Sequence, residues 1–292
     1  MKVLKFGGTS VGNADRLRKV SELLNGDEPI VVVLSAMAGV TNSLVEITEL
    51  AQSGKMLEAI EKTKVLEDKH IKTADGLFDS KMYRKRGEEF ISNLFLRILS
   101  RLIEGFNQTD SRNIVALGEQ LSVGLFHMLL TEQGKRAAYI PALEYMRIDK
   151  DNEPDFFYIE QNLKRLMQNN PFAKIYVTEG FICRNANGLV DNLGRGGSDF
   201  TAAIVGNVLN ANEVQIWTDI DGVHNNDPRF VTNTFPLRQL SYDEAAELAY
   251  FGAKILHPQT IQPCKVKNIP VVLKNTLNPT DEGTVLSSIK NR

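Results

Sequence analysis

The segment Val3-Leu4-Lys5-Phe6-Gly7-Gly8-Thr9-Ser10 ends a short apolar run on a Gly-Gly turn, and a helical pattern with Leu17, Val20 and Leu24 on one face follows from about Asn13. A strand entering a helix through two glycines is the unit from which the fold is read. Gly7 and Gly8 have backbone angles open to them that other residues lack, so successive N–H groups can face an anion with no Cβ in the way. The N-terminus of the following helix adds favourable partial charge, and Lys5 adds a full one. On the residues alone, a tight turn beside a solvated lysine fits equally well. The loop matches neither standard phosphate motif. A Walker loop places its lysine after the glycines, and a dinucleotide loop needs three spaced glycines.

Outward from this unit, apolar runs recur at Val3–Phe6, Ile30–Ser35, Ile175–Phe181, Val214–Thr218 and Val271–Lys274. None alternates cleanly, as expected of strands buried on both faces. Helical patterns lie between them, at Ala14–Leu24, Ser43–Ala51, Glu119–Thr131, Phe156–Met167 and Asp199–Leu209. The alternation predicts an α/β fold with a mostly parallel central sheet and helices on both sides, a three-layer αβα sandwich. The charged stretch from Gly54 to Asn113 has Phe90, Leu94, Ile98 and Leu102 at helical intervals and reads as helices. Ser241 and Glu244 form a capping box that predicts a helix start. A soft boundary falls at the second Gly-rich loop, dividing an N-terminal lobe, 1–195, from a C-terminal lobe, 196–292, with one sheet expected to run through both.

The chain has 292 residues, 42% of them hydrophobic, enough to bury a large core. Its 34 basic and 36 acidic residues leave a net charge of −2, so no overall field draws it to nucleic acid or anionic lipid. Any anion must be bound locally. Two cysteines, Cys183 and Cys264, are too few for a disulfide framework and read as buried thiols. The N-terminus shows no secretory pattern and no run reaches membrane-span length, so the expected setting is the cytoplasm, with no membrane partner.

Three further segments hold chemistry. Gly194-Arg195-Gly196-Gly197-Ser198-Asp199 runs straight into an apolar helix. Arg195 offers a planar fork for a carboxylate or phosphate, while Asp199 could simply cap the helix. Trp217-Thr218-Asp219-Ile220-Asp221-Gly222-Val223-His224 continues to Asp227-Pro228-Arg229. One missing ligand and the absent bidentate Glu exclude a calcium loop. Its acidic residues suit ribose or base groups, Arg229 could reach a phosphate, and a hydrated turn is the plain alternative. Phe251-Gly252-Ala253-Lys254-Ile255-Leu256-His257-Pro258 places a cation where the capped helix closes.

Taken together and in this order, KFGGTSV, GRGGSD, WTDxDG followed by DPR, and FGAKxLHP resemble the aspartokinase branch of the amino-acid kinase family, over essentially the whole chain. Leu34–Asn42 and Gly118-Glu119 resemble two further family segments. The resemblance implies the amino-acid kinase fold and transfer of the γ-phosphoryl group of Mg-ATP to the side-chain carboxylate of aspartate. It implies that Lys5 and Lys254 hold the transferring group, that Gly7, Gly8 and the N–H groups around Ser10 stabilise its oxygens, and that Asp199 orients the lysines. Arg195 would meet the α-carboxylate and Glu119 the α-ammonium. Ser35 and Thr41 would place the β-carboxylate, and Gly196, Gly197 and Ser198 would belong to the same substrate site. Thr218, Asp219, His224, Asp227, Arg229, Lys254 and Ile255 would form the nucleotide site. The magnesium would ride on phosphate oxygens and water, without a dedicated metal cage. A homodimer is a further implication.

Other kinases of this fold, acting on a different carboxylate or a phosphate, and a silent nucleotide-binding module are the alternatives. The sequence departs from the family pattern at His224, where Tyr is usual, at Asn225 and Asn226, and at Asp191 and Asn192, where hydroxyl residues are frequent. Similar proteins usually continue into ligand-sensing ACT domains and sometimes a homoserine dehydrogenase. With no complete ACT domain after Gly283-Thr284, feedback inhibition is expected to be missing or defective.

Overall fold

The computed structural model describes residues 1–26, 28–194, 196–226, 231, 233–250, 256 and 258–288. In chain order the elements are β1 (Lys2–Phe6), α1 (Ala14–Leu23), β2 (Ile30–Leu34), α2 (Val40–Gln52), α3 (Met56–Leu77), α4 (Lys81–Glu104), α5 (Gln108–Glu132) and β3 (Ala137–Tyr139). There follow α6 (Ala142–Tyr145), α7 (Phe156–Gln168), β4 (Ile175–Glu179), β5 (Ile182–Arg184), β6 (Val190–Asn192), α8 (Gly197–Leu209) and β7 (Glu213–Thr218). The chain continues through β8 (Val223–His224), β9 (Pro236–Leu237), β10 (Gln239–Ser241), α9 (Tyr242–Tyr250), a short 3₁₀ turn (Pro258–Ile261), α10 (Gln262–Val266), β11 (Val271–Asn275) and β12 (Thr284–Ser287).

Eight strands form one sheet in the order β10-β12-β11-β7-β1-β2-β4-β3. From β11 to β3 every pairing is parallel, while β12 runs antiparallel to β11 and parallel to β10. The sheet is thus mostly parallel, as expected, and it continues without a break across the Gly194–Asp199 region. Alternation along the strands divides the apolar residues between two cores. Val3, Val31, Val33, Val214 and Ile216 face one layer with α7 and α8, whereas Leu4, Phe6, Val32, Leu34 and Trp217 face the other with α1 to α5. Both faces being covered explains why the runs do not alternate in polarity.

The Gly54–Asn113 stretch is helical, as two long helices and the start of a third, with Ile91, Leu94, Phe95, Ile98 and Leu102 buried along α4. The 18-residue apolar limit has to be corrected for α5. By length and mean hydropathy (1.4) its Thr109–Glu132 stretch qualifies as a span, but 72% of its most apolar window is buried inside the protein. It is a core helix by that packing. The capping box is present, with Glu244 N–H donating to Ser241 Oγ (3.1 Å) and Ser241 N–H to Glu244 Oε2 (2.7 Å). Both cysteines are free and buried, and burial pushes each thiol up to about 12.

Candidate active site

β1 occupies the position in the sheet where the chain order reverses. Its sequence successor β2 lies on one side and the much later β7 on the other. In open parallel sheets the crevice outside the carboxyl ends of strands at such a switch point is where ligands bind. The register sets those ends side by side: Phe6 is level with Leu34 and Trp217, Leu34 with Glu179, and Thr218 with Asn275. The loops leaving these strands hold nearly all the residues singled out in the sequence.

Lys5 lies between Leu4 and Phe6, which face the α1–α5 core, so its side chain emerges on the opposite, α8 side. There its ammonium lies 2.7 Å from Asp199 Oδ1, with only 12% of the lysine and 21% of the aspartate side chain exposed. Asp199 does not cap α8. The cap position is Gly196, in a left-handed conformation (φ 73), and Asp199 sits in the first turn, free to reach the lysine.

The two glycines after Lys5 act differently from the expectation. Neither takes a positive φ, and Gly7 N–H donates to Trp217 O (3.2 Å). Gly8 is required by close approach, because a Cβ there would lie 2.8 Å from Ala36 O. This contact, with Ala38 N–H donating to Gly8 O (3.0 Å), presses the β1 loop against the β2 loop. The amide of Ser10 is likewise committed internally, donating to Gly7 O (2.9 Å). Its buried hydroxyl pairs with Thr276 Oγ1 at 2.7 Å, tying the loop to the chain beyond β11. Gly7 and Ser10 therefore shape the loop through these bonds.

Ser35 and Ala36 follow β2, and Thr41 lies in the first turn of α2. Ala36 N–H donates to Glu119 Oε1 (3.3 Å) and Ser122 Oγ to Ser35 O (2.7 Å), so α5 grips the β2 loop. Glu119 is 3% exposed, and its Oε2 has no hydrogen-bond partner among the described residues. Burial, with the nearby Glu179 adding to it, pushes the Glu119 carboxyl up to about 8. A buried carboxyl with one orphan oxygen is set to receive a cationic donor, which would restore its ionised form.

The second Gly-rich loop is packed as tightly as the first. A Cβ on Gly197 would fall 2.3 Å from Phe181 Cδ2, and one on Gly180 would fall 2.5 Å from Ser198 Cβ. Phe181 itself is held at φ 66, its N–H donating to Thr201 Oγ1 (3.0 Å) and its carbonyl accepting from Leu193 N–H (2.8 Å). Thr218 and Asp219 stand at the end of β7, with Thr218 Oγ1 donating to Asp219 Oδ1 (3.0 Å) and Thr276 N–H to Thr218 O (2.8 Å). His224, beyond them in the β8–β9 hairpin, has both ring nitrogens engaged, Nε2 with Asp221 Oδ1 (2.7 Å) and Nδ1 with Thr234 Oγ1 (2.9 Å). Arg195, Asp227, Arg229, Lys254 and Ile255 lie outside the described residues.

Sequence reasoning missed Glu179, which closes β4. It is buried, accepts from Tyr139 Oη and from Ala142 N–H (2.8 Å), and burial raises its carboxyl. The signal was a lone acid ending an otherwise apolar run. Ser122 and Thr276, which tie the site's loops together, gave no signal.

A Lys–Asp pair at a switch point, glycine loops approaching from separate strands and two buried carboxyls make a candidate site for a small charged molecule. The sequence profile of the Amino acid kinase family matches residues 1–275, and the chain belongs to that family. It is 37% identical over 296 residues to the chloroplastic bifunctional aspartokinase/homoserine dehydrogenase 2 of Arabidopsis thaliana, covering 97% of this chain and 32% of that protein. To chloroplastic aspartokinase 1 of the same plant it is 34% identical over 306 residues, covering 99% of this chain and 52% of that one. E. coli aspartokinase III, solved in complex with aspartate and ADP, superposes with a TM-score of 0.83 at 31% identity, over 100% of this chain and 65% of that one. UMP kinase from Bacillus anthracis, at 13% identity and a TM-score of 0.55, shares the fold. The chain spans about a third to two thirds of the length of the aspartokinases it matches.

Proposed function

We propose that this chain transfers the γ-phosphoryl group of ATP to the β-carboxylate of L-aspartate, giving 4-phospho-L-aspartate. One observation carries the reading: the Lys5–Asp199 pair, near the end of β1 and in the first turn of α8, stands at the sheet's switch point next to the β2 loop that Glu119, with its orphan oxygen, holds from α5. Relatives over nearly the whole chain are aspartokinases, one of them solved with both aspartate and ADP, which supports the same substrates here.

The chemistry asks little of the protein in proton transfer. A carboxylate nucleophile is ionised at neutral pH, so no general base is needed. The obstacle is bringing two anions together. Lys5, held in place by Asp199, neutralises charge on the transferring group, and such preorganised charge is where phosphoryl transfer gains its rate. Glu119 receives the α-ammonium of the amino acid, and the Gly194–Ser198 loop receives its α-carboxylate. The end of β7, with Thr218 and Asp219, faces the nucleotide. Magnesium, held on the nucleotide's phosphates, supplies further charge neutralisation.

The test is ADP release with trapping of the acyl phosphate by hydroxylamine. Aspartate-dependent hydroxamate formation is expected. Activity only with glutamate, N-acetylglutamate or UMP would assign the chain to another kinase of this fold, and nucleotide binding without any transfer would make it a binding module.

A further inference from the structure

The β5–β6 hairpin leads directly into the Gly194–Gly197 loop, and it is fastened to α5. Arg112, in the first third of that helix, forms an ion pair with Asp191 at the centre of β6, where the strand is paired with Cys183. Asp191 is 12% exposed and is held on several sides: its Oδ1 accepts from Asn192 N–H (2.8 Å), and its Oδ2 also meets Asn185 Nδ2 (3.4 Å). The next side chain passes the constraint on, Asn192 Oδ1 accepting from Gly194 N–H (3.0 Å). Leu193 N–H donates to Phe181 O, and Gly197 N–H donates to Gly194 O (3.2 Å), at the foot of α8. An unbroken series of contacts thus runs from Arg112 to the loop.

Arg112 and Glu119 are seven residues apart on α5, close to two full turns, so they project from the same side of the helix. One rigid element therefore grips the β2 loop through Glu119 and the root of the second glycine loop through Arg112. We propose that Arg112, acting through Asp191, is a positioning residue that sets the glycine loop relative to Glu119 and so sets the affinity for the amino-acid substrate. The inference rests on the reading of these two elements as the aspartate site. The Arg112 side chain is 55% exposed, and an ion pair of that kind contributes little to global stability. Its effect is local, on a loop whose placement must match two fixed groups of one small ligand.

The variants Arg112→Ala, Asp191→Asn and the double variant test this. Each single change is expected to raise the aspartate KM about five- to tenfold while kcat stays within about twofold, the effects of two contacting residues being coupled. The ATP KM and the melting temperature should be unchanged, the double variant should be no worse than the worse single one, and Arg112→Lys should recover part of the loss. Native-state hydrogen exchange gives a readout independent of activity, with faster exchange of the Leu193 and Gly194 amides expected in Arg112→Ala. An unchanged aspartate KM in both single variants, multiplicative effects in the double variant, or unaltered exchange at those two amides would overturn the proposal. Turnover of aspartate by the wild-type chain tests the underlying reading separately, and the exchange measurement decides the clamp whichever way that falls.

Discussion

Replacing Glu119 by Gln should remove the protein's affinity for aspartate and, without ligand, leave its stability less dependent on pH. The carboxyl is buried, and its pKa in the folded protein is about 8 against an ordinary value of 4.5. With the folded value raised, the contribution to stability is complete below pH 4.5 and is lost as the pH climbs towards 8, because the unfolded chain releases this proton first. At pH 7 the gap between pH and the unfolded value is about 2.5 units, or about 3 kcal/mol at roughly 1.36 kcal/mol per unit. Glutamine cannot ionise and escapes that loss. The amide buries two N–H donors where the protonated acid buries one O–H, a cost that does not vary with pH and so offsets the stability curve without altering its slope. An unfolding entropy of about 2.1 cal/mol/K per residue turns that pH-dependent part of about 3 kcal/mol into a Tm difference that shifts in the variant's favour by about 5 °C between pH 4.5 and pH 7 for a chain of this size. Scanning calorimetry of both proteins without ligands, at intervals from pH 5 to pH 8, should show the variant gaining on the wild type as the pH rises. A difference that stays constant across that range would refute the assignment of a neutral buried acid.

Four other outcomes follow from the same geometry. Aspartate binding at pH 7 should release close to one proton as the ammonium restores the Glu119 carboxylate, and calorimetric titration in buffers of different ionisation enthalpy would measure it. Lys5→Ala should lower kcat by about 10²-fold or more, as for loss of one preorganised charge, in the hydroxamate assay. Gly8→Ala should cost roughly 1–3 kcal/mol as the backbone moves to relieve a Cβ placed 2.8 Å from Ala36 O, read from denaturant unfolding. Burial lowers His70 from 6.5 to about 4, so its stability contribution is present above pH 6.5 and lost as the pH falls towards 4, by about 3 kcal/mol. His70→Leu should flatten that acid limb in Tm-versus-pH scans.

The parts of the fold that could be read in advance are those where a run of apolar residues is long enough to show. β1, β2, β4, β7 and β11 are five or six residues each, and all five were placed to within a residue or two. β3, β5, β6, β8, β9 and β10 are two or three residues long and exist through pairing with neighbours, so no local pattern announces them. The end of β4 illustrates the limit: Gly180 and Phe181 extend its apolar run, yet Phe181 turns to φ 66 to meet α8. In the candidate site, residue types were legible and their distances were not. Nothing local joins Lys5 to Asp199, or Arg112 to Asp191, across intervals of many residues. The first of these pairings was anticipated through the family resemblance, whereas the second appears only once α5 and the hairpin are folded together.

The central place of β1 has a consequence during synthesis. Its partner on one side, β2, emerges soon afterwards, whereas β7, its partner on the other, begins at Glu213. Until some two hundred further residues have been translated, that flank of the first strand exposes unmatched backbone groups, the sort of surface that templates aggregation. Asp199, the partner of the lysine it bears, is translated just before β7. Chains arrested between α8 and β7 should therefore be the ones most dependent on chaperones.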